Sequence, residues 1–300
     1  MPYRYHTTDV FTTSPFGGNP LAVLPDARGL TDEQMISIAR EFNYSESVFV
    51  FPPVNAANTR RVRIFTPGAE LPFAGHPTVG TAFVLAATGE IELTGDETRI
   101  IFEEGVGPVG VLIKSDMGKP YFAQLTAAKI PAMINDKYDA GTLADIISLR
   151  VEDVATGTLA IEAWSAGVPF LFVPVKSREA LARSRVRMDA WERTLKDSVA
   201  PEIFVFAIED DDVIRARMFA PTLGISEDPA TGGAVTALGG YLARRSAVRD
   251  GMLRYSVHQG VEMGRPSLLE LEVDVAQGGV SAVRVGGASV LVSSGALHVP

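Results

Sequence analysis

Cysteine is absent from this 300-residue chain. Disulfides, thiolate metal sites and thiol nucleophiles are therefore excluded together. Histidine occurs four times, at His6, His76, His258 and His298, without the paired spacing of a histidine-rich metal centre. Gly-x-Ser-x-Gly is missing, which argues against a hydrolase with a nucleophile elbow. No apolar run reaches the roughly 20 residues that a membrane-spanning helix needs. The first residues, Met1-Pro2-Tyr3-Arg4-Tyr5-His6, lack the apolar core of a signal peptide. Basic clusters interleaved with aromatics are also lacking, and a net charge of −9 with pI near 5.0 gives no electrostatic basis for holding a polyanion. These absences lead us to expect a cytoplasmic protein with neither nucleic acid nor membrane as partner.

What is present is a large apolar fraction, 46% of residues, and a string written twice. Arg63-Ile64-Phe65-Thr66-Pro67 leads to Glu70-Leu71-Pro72-Phe73-Ala74-Gly75, and Arg217-Met218-Phe219-Ala220-Pro221 leads to Glu227-Asp228-Pro229-Ala230-Thr231-Gly232. Each copy runs into an Ala- and Gly-rich helical stretch, Thr78 to Ala87 and Ala234 to Arg245. A duplicated strand, turn and helix predicts two homologous lobes of roughly 120 to 160 residues each, with a ligand cleft where they meet. We place the boundary near Met117-Gly118-Lys119-Pro120, giving an N-terminal lobe of residues 1–120 and a C-terminal lobe of residues 121–300 whose final strands cross back. At each turn, free N–H groups and the helix dipole either hold an anion or simply start a helix.

Between these copies the chain alternates strand and helix patterns. Tyr3–Phe11, Leu21–Leu24, Ser47–Phe51 and Arg60–Phe65 read as strands, and Thr31–Phe42 as a helix capped by Thr31 and ending at Asn43. Thr98–Phe102 and Val109–Lys114 read as a hairpin around Glu103–Pro108. Ala140–Ile147 and Glu179–Ala182 have helical character, while Val186–Leu195 is ambiguous. Strands are expected at Ala160–Ala163, Phe170–Val175, Ile203–Ala207 and Val213–Phe219, with a strand-rich chain after Arg245. The acidic run Glu209 to Asp212 reads as a solvated hairpin tip, with metal binding the rarer alternative. Gly105-Val106-Gly107-Pro108-Val109-Gly110 has the letters of a dinucleotide-binding loop, but a strand follows where that motif needs a helix.

Acid/base chemistry by carboxylates and histidine remains. Glu46, between a helix and an apolar strand, is either a desolvated carboxyl with a raised pKa or a surface glutamate at a strand entrance. His76 is either a catalytic group or a polar cap on its helix. Asp228 is either a site residue or a plain acid at a helix N-terminus.

The chain resembles the phenazine-biosynthesis PhzF family. The resemblance rests on Phe11 with Gly18-Asn19-Pro20-Leu21-Ala22-Val23, on Asn43-Tyr44-Ser45-Glu46-Ser47, on both duplicated turns with His76-Pro77, and on Gly260-Val261-Glu262-Met263-Gly264-Arg265-Pro266-Ser267. It implies an α+β, diaminopimelate-epimerase-like fold of two pseudo-symmetric lobes, each a curled, mostly antiparallel sheet around a central helix. It implies a homodimer with no cofactor and no metal, acting on a small-molecule carboxylate. The implied reaction is isomerisation of trans-2,3-dihydro-3-hydroxyanthranilate, with Glu46 as proton shuttle, His76 and Asp228 on the substrate's polar groups, and the N–H groups of Gly75, Gly232 and Gly233 holding its carboxylate. Epimerases of this fold use two cysteines, so their activity does not carry over. Gly233 stands where the phenazine enzyme has a serine; a lost hydrogen bond of roughly 1 kcal/mol is enough to change substrate preference. The alternatives are an isomerase of another small metabolite and a catalytically silent binding protein.

Overall fold

The computed structural model describes residues 2–155, 157–210 and 212–299. Its contacts divide into two compact units, Met1–Ala128 with Val285–Pro300, and Lys129–Arg284.

The first unit contains β1 (Tyr3–Val10), β2 (Asn19–Leu24), α1 (Asp32–Phe42), β3 (Glu46–Phe51), β4 (Arg60–Phe65), β5 (Glu70–Leu71), α2 (Gly75–Ala87), β6 (Glu97–Glu104), β7 (Gly107–Asp116) and β8 (Lys119–Thr126). Its sheet runs from the chain's last strand, Ser289–Leu297, through β1, β2, β3, β4, β6 and β7 to β8. Among these pairs, β2/β3 and β4/β6 are parallel and the others antiparallel. This sheet curls around α2, which packs on β1, β2, β3, β7, β8 and the last strand. The helix has no charged residue and is buried from Gly75 through Ala86, as an element apolar on every side must be. β6 and β7 alternate buried and outward residues, the mark of a sheet with one covered face. β3 instead is buried from Glu46 through Val50, because α1 covers the face opposite α2 with Met35, Ile38 and Ala39.

The second unit contains β9 (Ala132–Ile134), α3 (Ala140–Ile146), β10 (Glu162–Ser165), β11 (Pro169–Pro174), α4 (Arg178–Arg183), α5 (Met188–Thr194), β12 (Ile203–Asp210), β13 (Val213–Ala220), β14 (Ile225–Asp228), α6 (Gly232–Ala243), β15 (Gly251–Gln259) and β16 (Ser267–Ala276). The division falls within β17 (Gly279–Gly287), and the last strand is β18. Its order is β9, β10, β11, β12, β13, β15, β16, again with two parallel steps, β11/β12 and β13/β15. α6 is its buried helix, packed on β9, β10, β11 and β16. The other face of the sheet carries α3, α4 and α5 on a core that includes Leu143, Leu181, Trp191 and Val205.

Local chemistry explains most boundaries. Thr31 and Gln34 form a reciprocal capping box on α1, and Asn43 ends it in the left-handed region at φ 52°. α2 and α6 begin at Gly75 and Gly232, earlier than the sequence pattern indicated. Pro77 is tolerated because its missing N–H lies in the first turn, where no intrahelical partner exists. Met117 and Gly118, where the sequence suggested a lobe boundary, form the two-residue turn of the β7/β8 hairpin, both with positive φ. Of the acidic run, Glu209 and Asp210 end β12, where Glu209 pairs with Arg215; Asp211 lies outside the described residues. Among the described residues, no helix is long and apolar enough to cross a membrane.

Candidate active site

The repeated letters mark the same construction in both units. In the first, Arg63 donates to Glu70 at 2.7 and 2.6 Å and lies 5.1 Å over the ring of Phe65. In the second, Arg217 donates to Glu227 at 2.8 and 2.7 Å and lies 5.1 Å over Phe219. Each fork ties a strand to the turn that opens the buried helix. The repeated glutamates are thus structural partners. The surface helices α1, α3 and α4 close their first turns with Thr31, Asp139 and Ser177, whereas neither α2 nor α6 has a side-chain cap. That leaves first-turn N–H groups of the two central helices without side-chain acceptors of this kind.

In the first unit, two of the residues expected from the sequence come together. Glu46, first residue of β3, is 8% exposed, and His76, second residue of α2, is 4% exposed. Glu46 Oε2 lies 3.3 Å from His76 Nε2. Burial lowers the His76 pKa to about 3, so the imidazole is neutral at ordinary pH and this contact is not an ion pair. Asn19 sets the tautomer. Its Nδ2 is 3.2 Å from His76 Nδ1, and since an amide nitrogen only donates, Nδ1 accepts and Nε2 carries the proton; Nε2 and Glu46 Oε2 touch without a hydrogen bond between them. Gly18 makes this possible: it sits at φ +59°, and a Cβ there would lie 2.2 Å from the Val10 carbonyl oxygen.

In the second unit, Asp228 is 7% exposed and ends β14. Its Oδ2 accepts the Thr231 hydroxyl at 2.6 Å. Gln259, fully buried, donates to the Asp228 carbonyl at 2.7 Å and accepts the Thr231 N–H at 3.1 Å, closing the turn before α6. Gly232 is buried and Gly233 half-buried at the start of α6. A Cβ on Gly233 would meet only the Phe170 ring, at 3.6 and 3.7 Å, an ordinary contact.

Sequence reasoning left Asn19, Thr78, Glu104, Glu202 and Gln259 without roles. Asn19 was quoted within Gly18-Asn19-Pro20, but its partner lies 57 residues away. Glu202 had a readable signal in the repeat. Ser47 stands opposite Phe65 and Ile203 opposite Phe219, so Glu46, at the start of β3, and Glu202, just before β12, hold corresponding places. Glu202 is 3% exposed, and burial pushes its pKa up to about 7. Its Oε1 accepts the Thr222 hydroxyl. Among the described residues, no three His, Cys, Asp or Glu side chains gather where they could hold a metal ion.

A buried carboxyl facing a neutral imidazole of fixed tautomer is equipment for acid/base work on a small molecule. Residues 8–295 match the family model described as phenazine biosynthesis-like protein, PhzC-PhzF, and the chain belongs to this family. It is 38% identical, over 99% of both chains, to an uncharacterized isomerase of Mesorhizobium japonicum. It is 35% identical to the trans-2,3-dihydro-3-hydroxyanthranilate isomerase of Pseudomonas aeruginosa, over 99% of this chain and 100% of that one. The crystal structure of a PhzF-family phenazine biosynthesis protein of Bacillus anthracis superposes with a TM-score of 0.88 at 27% identity, covering 100% of both chains. The chain is an isomerase of this family, and its fold is α+β and diaminopimelate-epimerase-like, as the sequence led us to expect.

Proposed function

We propose that the protein is a cofactor-independent isomerase that moves a proton between carbons of a small cyclic carboxylate, with Glu46 as the shuttle. The observation that carries this reading is the 3.3 Å approach of Glu46 Oε2 to a neutral, Asn19-oriented His76. An ionised Glu46 takes a proton from one substrate carbon and returns it to another, so the carboxylate is regenerated and no redox partner is needed. The neutral His76 ring stands beside that carboxyl at 3.3 Å. His76 and Asp228 serve the polar groups of the substrate, and the N–H groups of Gly75, Gly232 and Gly233 hold its carboxylate. The relative from Pseudomonas aeruginosa supports trans-2,3-dihydro-3-hydroxyanthranilate as the first compound to try.

Glu46→Gln tests the reading. The amide keeps the size of the side chain but cannot accept and return a proton, so turnover of that compound and deuterium uptake from solvent are expected to fall by about two to four orders of magnitude. Binding of the compound, measured by calorimetry, should persist. Turnover within a few-fold of the parent would remove Glu46 from the mechanism.

A further inference from the structure

The start of α2 is held from behind by the β6/β7 hairpin. Its tip, Gly105-Val106, folds over the segment leading into the helix, where the Val106 N–H donates to the Pro72 carbonyl at 2.9 Å. A Cβ on Gly105 would lie 2.8 Å from Pro72 Cα, so only glycine permits this approach. The glycines that imitate a dinucleotide loop therefore include one required by backbone packing. Beside the tip, Glu104 is 8% exposed, and no use has yet been found for its carboxyl.

The protons around Glu104 can be counted. Thr78 Oγ1 lies 2.7 Å from the Ala74 carbonyl oxygen and 2.7 Å from Glu104 Oε1. A carbonyl oxygen only accepts, and the hydroxyl has a single proton. Both short contacts are satisfied when Thr78 donates to Ala74 and Glu104 itself donates to Thr78. Glu104 Oε2 is buried and makes no hydrogen bond among the described residues, so an ionised carboxylate would be left poorly solvated there. We propose that Glu104 is a positioning residue: a neutral, proton-donating carboxyl that acts through Thr78 on Ala74, and so fixes the backbone that presents Gly75 and His76.

The surroundings agree. Burial pushes the Glu104 pKa up to about 8, and the smaller, opposing influence is the Thr78 hydroxyl, which can donate to the carboxyl once that is ionised. On the same strand, Glu103 is turned to Val54, Asn55 and Asn58. On β4, Arg61 stands across from Glu103. On β7, the residue across from Glu104 is Gly107. Near β5, Glu70 is taken by Arg63, and on α2 the titratable side chain is His76, held neutral. The alkaline behaviour of this region therefore belongs to Glu104.

The inference rests on the proposed working pair only for its importance to turnover, so its test avoids turnover. Protein labelled with nitrogen-15 in its four histidines is titrated by NMR, with His76→Gln identifying the His76 ring signals. His76 does not itself titrate in the alkaline range. Its ring signals are nevertheless expected to shift with a midpoint near pH 8 as Glu104 ionises. Glu104→Gln, whose amide donates to Thr78 at every pH, should abolish the shift. Thr78→Val should also abolish it, while infrared spectroscopy still detects the protonated Glu104 carbonyl at neutral pH. No protonated carboxyl assignable to Glu104 at neutral pH, or an alkaline His76 shift that survives either substitution, overturns the proposal. If Glu104→Gln does not fold, the Thr78→Val titration and the infrared band of the parent decide. Failure of the Glu46 test would leave all these outcomes readable.

Discussion

The duplicated Arg–Glu fork offers a matched comparison, because the same bonds occur in two environments. In the second unit the Arg217 side chain is 3% exposed and that of Glu227 is 14%; in the first, Arg63 is 16% and Glu70 42%. Both arginines make a bidentate pair and lie 5.1 Å over a phenylalanine, so ring stacking cancels in the comparison. Arg217→Met strands a poorly hydrated carboxylate and also removes the donor to the Ser184 carbonyl at 2.7 Å and to the Ala182 carbonyl at 3.2 Å. Breaking a buried pair in this way costs about 3 to 5 kcal/mol. Arg63→Met leaves Glu70 and the 71%-exposed Asp32 free to rehydrate, at a cost of about 0.5 to 1 kcal/mol. For a unit of this size, the first loss lowers the melting temperature by roughly 10 °C and the second by no more than about 4 °C. Trp164 and Trp191, the only two tryptophans, lie in the second unit and report on it by fluorescence, while circular dichroism follows the whole chain. Equal losses, or a larger loss at Arg63, would refute the argument that burial sets the weight of this motif.

Two further outcomes are expected. The His76 pKa lies near 3 in the folded chain, below its ordinary 6.5, so between those values the unfolded chain binds a proton that the native state refuses. His76 therefore makes stability fall as pH falls through that window and contributes nothing above it. Since Glu104, with its pKa raised to about 8, acts with the opposite sign between about 4.5 and 8, the effect is read as the difference between parent and His76→Gln urea midpoints; a difference that does not change below about pH 6.5 would refute it. Gly233→Ser should fold normally, given the room at that Cβ. If the chain handles trans-2,3-dihydro-3-hydroxyanthranilate, the new hydroxyl should improve turnover or binding by up to about tenfold, and no conversion by parent or variant would exclude that compound as substrate.

Much of the backbone was legible because its signals are local. The hairpin pattern around Glu103–Pro108 marks β6 and β7, Thr31 and Asn43 bound α1, and the repeated string locates the two buried helices. β8 carries no such signal, since Met117-Gly118-Lys119-Pro120 reads as a break, whereas positive φ at Met117 makes it a tight turn into another strand. The chemistry was less legible because it is non-local. Glu46 and His76 could each be singled out as an acid/base residue, but their 3.3 Å contact depends on which strands flank α2. The tautomer of His76 depends on Asn19, and the proton on Glu104 depends on an oxygen of Thr78.

The repeat also extends further than its letters. Carried one strand upstream by the register of β3 with β4 and of β12 with β13, it aligns Glu46 with Glu202, each followed by an apolar run, Ser47-Val48-Phe49-Val50 and Ile203-Phe204-Val205-Phe206. Downstream, Gly75-His76 aligns with Gly232-Gly233. In the first copy the buried carboxyl meets an imidazole; in the second the aligned position is glycine, and the carboxyl turns to the Thr222 hydroxyl instead. One construction thus has its Arg–Glu fork, its turn and its buried carboxyl in both places, while in one copy alone that carboxyl stands beside an imidazole. The fork and turn are required wherever this fold must seat a buried helix, so they recur as letters. An imidazole stands beside the carboxyl in one copy and not in the other, so the asymmetry at His76 and Gly233 bears on the proposed proton shuttle more directly than the repeat itself does.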